Sequence, residues 1–244
     1  MQHSKGKLRY IIPNMKALLK KIQFKLAGLL LLFRIQPDAH AQASAHNNFD
    51  DEINYYKNLD DTTTLPEHPV LFVGSSSVKN WIGFDSTYGQ FGGLNRGFGG
   101  STLLDQIHYA NDIILNHDPK QIVIYCGEND FAASSSVTPD LVFDRFLQLY
   151  KIIRSKYPGV PVVCISMKPS PSKLEMMDKI YAYNALLQDY IAVDSSITYA
   201  DIFTPMLNPD GSPDRSYFFS DMLHMNKKGY QVWNSVVLPL IIKQ

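Results

Sequence analysis

The sequence predicts an α/β protein, a three-layer α/β/α sandwich built around a five-stranded parallel sheet. Short β-rich runs alternate with helical patterns from residue 67 onward. Several of these runs are continuously apolar, as expected of strands that are buried on both faces of a parallel sheet. Such alternation places helices on both faces of the sheet through right-handed crossovers. Residues 67–244 are therefore expected to form one domain.

The predicted elements follow one another in regular order. Strands are predicted at 70–73, 93–96, 121–126, 160–166 and 197–200. Helical patterns cover 49–58, 139–156, 174–193 and 227–242. A further helix begins at Ser101 or Thr102 and carries one apolar stripe, which is formed by Leu103, Leu104, Ile107, Ala110 and Ile114.

Length and charge exclude several classes of protein. The chain has 244 residues, of which 45% are apolar, and this suffices for one sizeable core and argues against disorder. The net charge is zero but unevenly divided. Residues 1–41 hold eight basic residues and the single acid Asp38, so the rest holds 15 basic residues against 22 acidic ones. An acidic body without a Lys/Arg cluster argues against nucleic acid as the partner.

The first 41 residues have the order of a secretory signal peptide. A basic stretch ends at Lys25, an apolar run covers 26–33, and Ala39 and Ala41 supply a small-x-small cleavage pattern. Met15 is an alternative start, and a basic amphipathic helix of the protein itself is the competing interpretation. The apolar run is shorter than the roughly 20 residues that a membrane span needs. We therefore expect an exported protein, periplasmic or secreted, without a stable membrane span, in which residues 42–66 are a polar segment.

The two cysteines, Cys126 and Cys164, each lie in a β-rich run. Two thiols are too few for a disulfide framework, so buried, unpaired cysteines are expected. The sequence contains no CxxC, HExxH or comparable ligand spacing. Neither a metal nor a cofactor is therefore expected.

Residues that can carry chemistry follow the first two predicted strands. The carboxyl ends of parallel strands meet at one edge of the sheet, where functional groups collect. Gly74 and the serines at 75–77 follow the first strand, and a turn into a helix there would expose a hydroxyl beside free N–H groups that can stabilise an oxyanion. The glycine-rich stretch 97–101 follows the second strand and lets the backbone approach a bound group closely. Taken alone, each stretch is more often an ordinary turn and helix cap.

Two further stretches complete this edge. After the third strand, the uncharged amide of Asn129 can donate to an oxyanion, whereas the carboxylates of Glu128 and Asp130 would repel one and are expected to bond only to the loop. Near the C-terminus, Asp221 precedes His224 by three residues. A carboxylate at this spacing can orient the imidazole while the other ring nitrogen acts as a base.

Taken in this order, the four stretches resemble the SGNH/GDSL hydrolase family over roughly residues 68–242. The resemblance implies the flavodoxin-like fold of SGNH hydrolases. It also implies a serine esterase in which Ser76 is the nucleophile and Asp221 and His224 complete the triad. By the same resemblance, Ser76, Gly100 and Asn129 are the oxyanion donors.

The resemblance leaves two positions open. Ser75 stands where the family commonly has aspartate, so Ser75, Ser76 and Ser77 compete as nucleophile, and the register of the surrounding residues favours Ser76. Gly99 competes with Gly100 for the oxyanion position.

The substrate is predicted more coarsely than the site. The segment from Lys168 to Ser172 follows the fourth strand and is expected to form a polar loop beside the site, and no long apolar insertion could form a lid. These features favour short acyl groups, such as acetyl, on carbohydrates or other small molecules. The alternatives are a lipase, lysophospholipase or thioesterase, or a carbohydrate-binding envelope protein that has the fold without turnover. Phosphodiester hydrolysis would call for a metal or a basic cluster, which the sequence lacks.

Overall fold

The computed structural model describes residues 49–243 and contains the predicted parallel sheet. The strands lie in the order β2-β1-β3-β4-β5, and every neighbouring pair is parallel. Their bounds are β1 Val70–Gly74, β2 Gly93–Gly97, β3 Gln121–Tyr125, β4 Val162–Ile165 and β5 Ile197–Ala200. The predicted fold class, with five parallel strands and helices on both sides, is confirmed.

The helices lie between the strands and at both ends of the described chain. Their bounds are α1 Asp50–Thr62, α2 Ser76–Lys79, α3 Phe84–Tyr88, α4 Leu103–His108, α5 Ala110–Ile113, α6 Glu128–Ala133, α7 Pro139–Lys156, α8 Met177–Ile191 and α9 Lys227–Val237. Several begin at side-chain caps that the sequence supplies. Thr102 forms a capping box with Asp105, and the Asn226 side chain accepts from the N–H groups of Lys228 and Gly229.

Two apolar clusters cover the two faces of the sheet. Successive strand residues point to opposite faces, so Leu71 and Val73 pack in one cluster and Val70 and Phe72 in the other. The first cluster also contains buried side chains of α1, α4, α5, α7 and α8, and the second those of α2, α3 and α9. Because strands buried on both faces must be apolar throughout, this packing explains the continuous apolar runs of the sequence.

The strand order places a topological switch point between β1 and β3. From β1 the chain moves to β2 at one edge, and it then returns past β1 to β3 and continues to the other edge. The helices that follow β1 and β3 therefore lie on opposite faces of the sheet, and the carboxyl ends of strands at such a switch point are where open α/β sheets bind ligands.

Several predicted elements differ from the observed ones. The helix predicted from Ser101 or Thr102 onward is broken at Tyr109, whose hydroxyl donates to Asp50 on α1. The helix predicted at 174–193 begins only at Met177, after a 3₁₀ turn that starts at Pro171. Helix α9 ends at Val237, because the proline two residues later cannot continue its hydrogen bonds. Helices α3 and α6 were not predicted, because five or six residues are too few to show a helical period.

The predicted signal peptide, residues 1–41, lies outside the described residues, so export stays a prediction. No helix within residues 49–243 combines the length and the apolar character of a membrane span.

Cys126 and Cys164 are buried as free thiols. Burial raises the pKa of both thiols, so neither is available as a thiolate nucleophile near neutral pH.

Candidate active site

Ser76 is the first residue of helix α2 and follows β1 after a tight turn. Gly74 ends the strand with a φ of +146°, and a Cβ at this position would collide with the carbonyl oxygen of Tyr125 on β3. Ser75 and Ser77 are only 3% and 2% exposed, whereas Ser76 is half-buried. The backbone N–H of Ser76 lies in the first turn of the helix, where the helix itself supplies no acceptor.

Ser76, His224 and Asp221 form one row of hydrogen bonds. The Nε2 atom of His224 lies 3.2 Å from the Oγ of Ser76, and its Nδ1 atom lies 2.7 Å from Oδ2 of Asp221. The serine follows β1, and the other two residues belong to the loop before α9, so the fold brings together side chains 148 positions apart. Of the three competing serines, it is Ser76 whose hydroxyl meets the imidazole.

A tight turn holds Asp221 and His224 side by side. Phe219 N–H donates to the carbonyl of His224 at 2.8 Å, and Met222 N–H donates to the carbonyl of Phe219 at 2.9 Å. Met222 has a φ of +56°, and among residues 49–243 it is the one non-glycine residue with a positive φ. A left-handed conformation costs an ordinary residue roughly 1–2 kcal/mol. The surrounding hydrogen bonds therefore hold the backbone strained at the point where the aspartate and the histidine must meet.

The Asp221 carboxylate is charged throughout the range in which esterases are assayed. Partial burial raises its pKa, but the N–H groups of Leu223 and His224, each donating to Oδ1 at 2.9 Å, and the His224 ring together lower the pKa to about 2. An ionised carboxylate accepts the Nδ1 proton of His224 and leaves Nε2 free to accept a proton from Ser76.

Gly100 and Asn129 are both neighbours of Ser101, Gly100 along the chain and Asn129 through a hydrogen bond. The Asn129 side-chain amide donates to the Ser101 carbonyl at 2.9 Å, and Gly100 is exposed with a φ of +76°. The N–H of Phe98 donates to the carbonyl of Gly74 at 2.9 Å, which ties this loop to the turn that carries Ser76. An amide nitrogen has two N–H groups, so Asn129 keeps one donor beyond the bond to Ser101. The choice between Gly99 and Gly100 stays open.

Asp130 anchors the turn that carries Asn129. Its carboxylate is fully buried and accepts from the N–H of Leu103 at 2.9 Å and from the Arg145 guanidinium at 2.8 Å. Burial raises the pKa of Asp130.

Among the described residues, no three His, Cys, Asp or Glu side chains are grouped as ligands for a metal ion.

A buried ion pair between Lys168 and Glu128 was not predicted from the sequence. Lys168 was expected in a polar surface loop, but its side chain is only 2% exposed and forms an ion pair with Glu128. Residues 167–171 are all buried. A lysine is tolerated there because the Glu128 carboxylate compensates its charge. The one sequence feature that could have indicated this burial is the position of Lys168, shortly after a buried strand at the carboxyl edge of the sheet.

A parallel α/β sandwich with serine, histidine and aspartate in one hydrogen-bonded row at its switch point has the layout of an ester hydrolase. The sequence matches the model of the GDSL-like lipase/acylhydrolase family over residues 73–232, which is more than half of the chain. The chain therefore belongs to this family and is an ester-hydrolysing enzyme, and the resemblance drawn from the sequence is confirmed. No curated protein matches the sequence.

Solved structures share the fold. A candidate acylhydrolase from Bacteroides fragilis NCTC 9343 is 20% identical, with a TM-score of 0.69 over 80% of this chain and 98% of the other. A GDSL-like lipase from Bacteroides thetaiotaomicron VPI-5482 is 21% identical, with a TM-score of 0.67 over 78% and 96%. An acetyl esterase crystallised with an acetate ion is 14% identical, with a TM-score of 0.56 over 71% and 95%. At these identities the similarity extends to the fold alone.

Proposed function

We propose that the protein is a serine esterase that works through an acyl-enzyme and acts on short-chain esters of carbohydrates or other small molecules. The observation that carries this proposal is the row from Ser76 Oγ through the His224 imidazole to the Asp221 carboxylate, with spacings of 3.2 and 2.7 Å. These distances allow a proton to move from the serine to the imidazole without rearrangement of the chain.

The proposed reaction has two halves. In the first, Nε2 of His224 takes the proton of Ser76, and the serine oxygen attacks the ester carbonyl carbon. The N–H groups of Ser76 and Gly100 and the amide of Asn129 donate to the oxyanion that develops. The protonated His224 then gives its proton to the departing alcohol. In the second half, a water molecule loses a proton to His224 and attacks the acyl-enzyme, and the acid leaves as Ser76 regains its proton.

The surroundings of the site favour a short acyl group and a polar alcohol. Pro171, Leu174, Asn208 and Arg215 are among the residues that line a cleft of about 290 Å³. One lining residue, Pro171, precedes Ser172, whose N–H donates at 2.9 Å to the carbonyl of Met222 in the turn of Asp221 and His224. Amide and guanidinium groups at the wall of the cleft suit a hydroxylated alcohol better than a lipid chain. The acetyl esterase with the same fold, which holds acetate, supports this choice of substrate.

Asn129→Ala is expected to lower kcat by about 100- to 1,000-fold, because it removes one donor to the oxyanion. The effect on KM should be small, since the charge on the oxygen develops only in the transition state. Steady-state kinetics on a p-nitrophenyl acetate assay give both constants. Asn116→Ala, which removes an exposed amide that contacts Asp60, is the matched control and should retain the wild-type kcat. Equal kcat values in the wild type and in Asn129→Ala would show that Asn129 does not donate to the oxyanion.

The acyl-chain preference is tested with p-nitrophenyl acetate, butyrate and octanoate at equal concentration. We expect kcat/KM to fall from acetate to octanoate, because residues 67–244 contain no long apolar insertion that could cover a long acyl chain. Faster turnover of octanoate would favour the lipase alternative and overturn the short-chain proposal, while the serine mechanism would stand.

A further inference from the structure

Glu128, which directly precedes Asn129, lies at the centre of a buried polar network. Its Oε2 accepts from the hydroxyl of Tyr125 at 3.0 Å and from Nζ of Lys168, and its Oε1 accepts from the hydroxyl of Ser170 at 2.7 Å. All four residues are buried, and Ser170 has no exposed surface. Both carboxylate oxygens of Glu128 therefore accept hydrogen bonds from partners inside the protein, and the group is not exposed to solvent as a reactive group.

This network joins two parts of the site that are far apart in the sequence. Glu128 immediately precedes Asn129 in α6, the helix that follows β3. Lys168 and Ser170 belong to the loop after β4, and the N–H of Ser172 in the same loop donates to the Met222 carbonyl at 2.9 Å. The loop after β4 thus connects the turn of Asn129 to the turn that presents Asp221 and His224.

The loop is also fixed from its other side. Asn184 on α8 accepts from the N–H of Met167 at 2.8 Å and donates to its carbonyl at 2.9 Å. Both backbone groups of Met167 are therefore bound to α8. Between Met167 and Ser172, the side chains of Lys168 and Ser170 connect the loop to Glu128.

We propose that Glu128 is a positioning residue that ties the first turn of α6, which carries Asn129, to the loop after β4 and, through Ser172 and Met222, fixes the turn of Asp221 and His224 relative to Asn129. This inference rests on the proposed function. Its physical basis is that catalytic groups must be held close to their productive geometry, and a displacement of about 1 Å can lower the rate about 100-fold.

The test separates the positioning bond from the charge. Glu128→Gln/Lys168→Met and Glu128→Ala/Lys168→Met both remove the buried charges together, which is tolerated better than leaving one charge unpaired. They differ in that the glutamine still accepts from Ser170, whereas the alanine has no side chain to do so. We expect the alanine variant to have a kcat at least about 10-fold below that of the glutamine variant, with KM changed less than about 3-fold.

Equal kcat in the two folded variants, or a change in KM alone, would overturn the proposal. If the alanine variant fails to fold, Ser170→Ala removes only the hydroxyl that donates to Oε1, and the same split between kcat and KM decides the question. Asp60→Asn serves as the control, since it disrupts another buried ion pair, with Arg96, and should reduce the melting temperature while the kcat stays at the wild-type value. A Ser76→Ala variant with wild-type activity would show that the proposed function fails, which is a different result from unchanged activity in the Glu128 variants.

Discussion

Ser76→Ala abolishes ester hydrolysis while the fold is retained: this is the largest effect that we expect. Removal of the nucleophile of a serine hydrolase lowers kcat roughly 10⁶-fold. The hydroxyl of Ser76 makes its side-chain hydrogen bond to His224, and the residue is half-buried, so its loss leaves no buried group without a partner. Thermal melting should therefore match the wild type, and hydrolysis of p-nitrophenyl acetate should fall to the background rate.

The neighbouring serines are matched controls. Ser75→Ala and Ser77→Ala change the same chemical group at the two adjacent positions, both of which are buried, and should retain kcat within a few-fold. Labelling with a fluorophosphonate gives an independent readout, because it reports an activated serine and needs no substrate. The label should be lost in Ser76→Ala alone. If the wild type takes up no label, the result would favour the alternative of a carbohydrate-binding protein without turnover. If Ser75→Ala or Ser77→Ala is the inactive variant, the nucleophile is misassigned.

The sheet could be predicted from the sequence because its signal is local. The runs around Val70 and Gln121 are continuously apolar, and that pattern has few explanations other than a strand buried on both faces. The break at Tyr109 could not be predicted, because it accompanies a bond between that side chain and Asp50, which lies 59 positions earlier. Periodicity describes neighbours along the chain and carries no information about such contacts.

The candidate site also has features that could be predicted from the sequence and features that could not. The spacing of Asp221 and His224 predicts their contact, because three residues of a tight turn bring the two side chains together. The burial of Lys168 could not be predicted, since a lysine is buried only where an opposite charge meets it, and Glu128 lies 40 positions away. The positive φ of Met222 could not be predicted either, since one of the bonds that hold this turn comes from the N–H of Ser172 in the loop after β4.

Asp221→Asn is expected to lower kcat roughly 10⁴-fold, as the loss of a triad aspartate does in serine hydrolases. The asparagine oxygen can still accept from the N–H groups of Leu223 and His224, so the turn should form. Its NH₂ group, however, would stand where Oδ2 accepts from Nδ1 of His224. A donor at that place favours the tautomer with the proton on Nε2, and this tautomer cannot take the proton of Ser76. Asp210→Asn is the control, since it changes another exposed aspartate that caps a turn in the same segment of the chain and should leave kcat unchanged.

The wild-type enzyme should keep Asp221 ionised over the whole range of an activity assay. Because the folded-state pKa of Asp221 is about 2, below the usual value of about 3.9, the carboxylate stays charged between pH 7 and pH 4. Its contribution to stability is complete above the unfolded-state pKa and is lost only as the pH falls toward 2. A loss of activity between pH 7 and pH 4 would therefore not be due to protonation of Asp221, whose carboxylate carbon signal in an NMR titration should stay unchanged over this range. For the Asp221→Asn variant, a kcat within 10-fold of the wild-type value would contradict the proposed role of Asp221. It would mean that His224 can act as a base without the carboxylate, and that the aspartate serves only to form the turn.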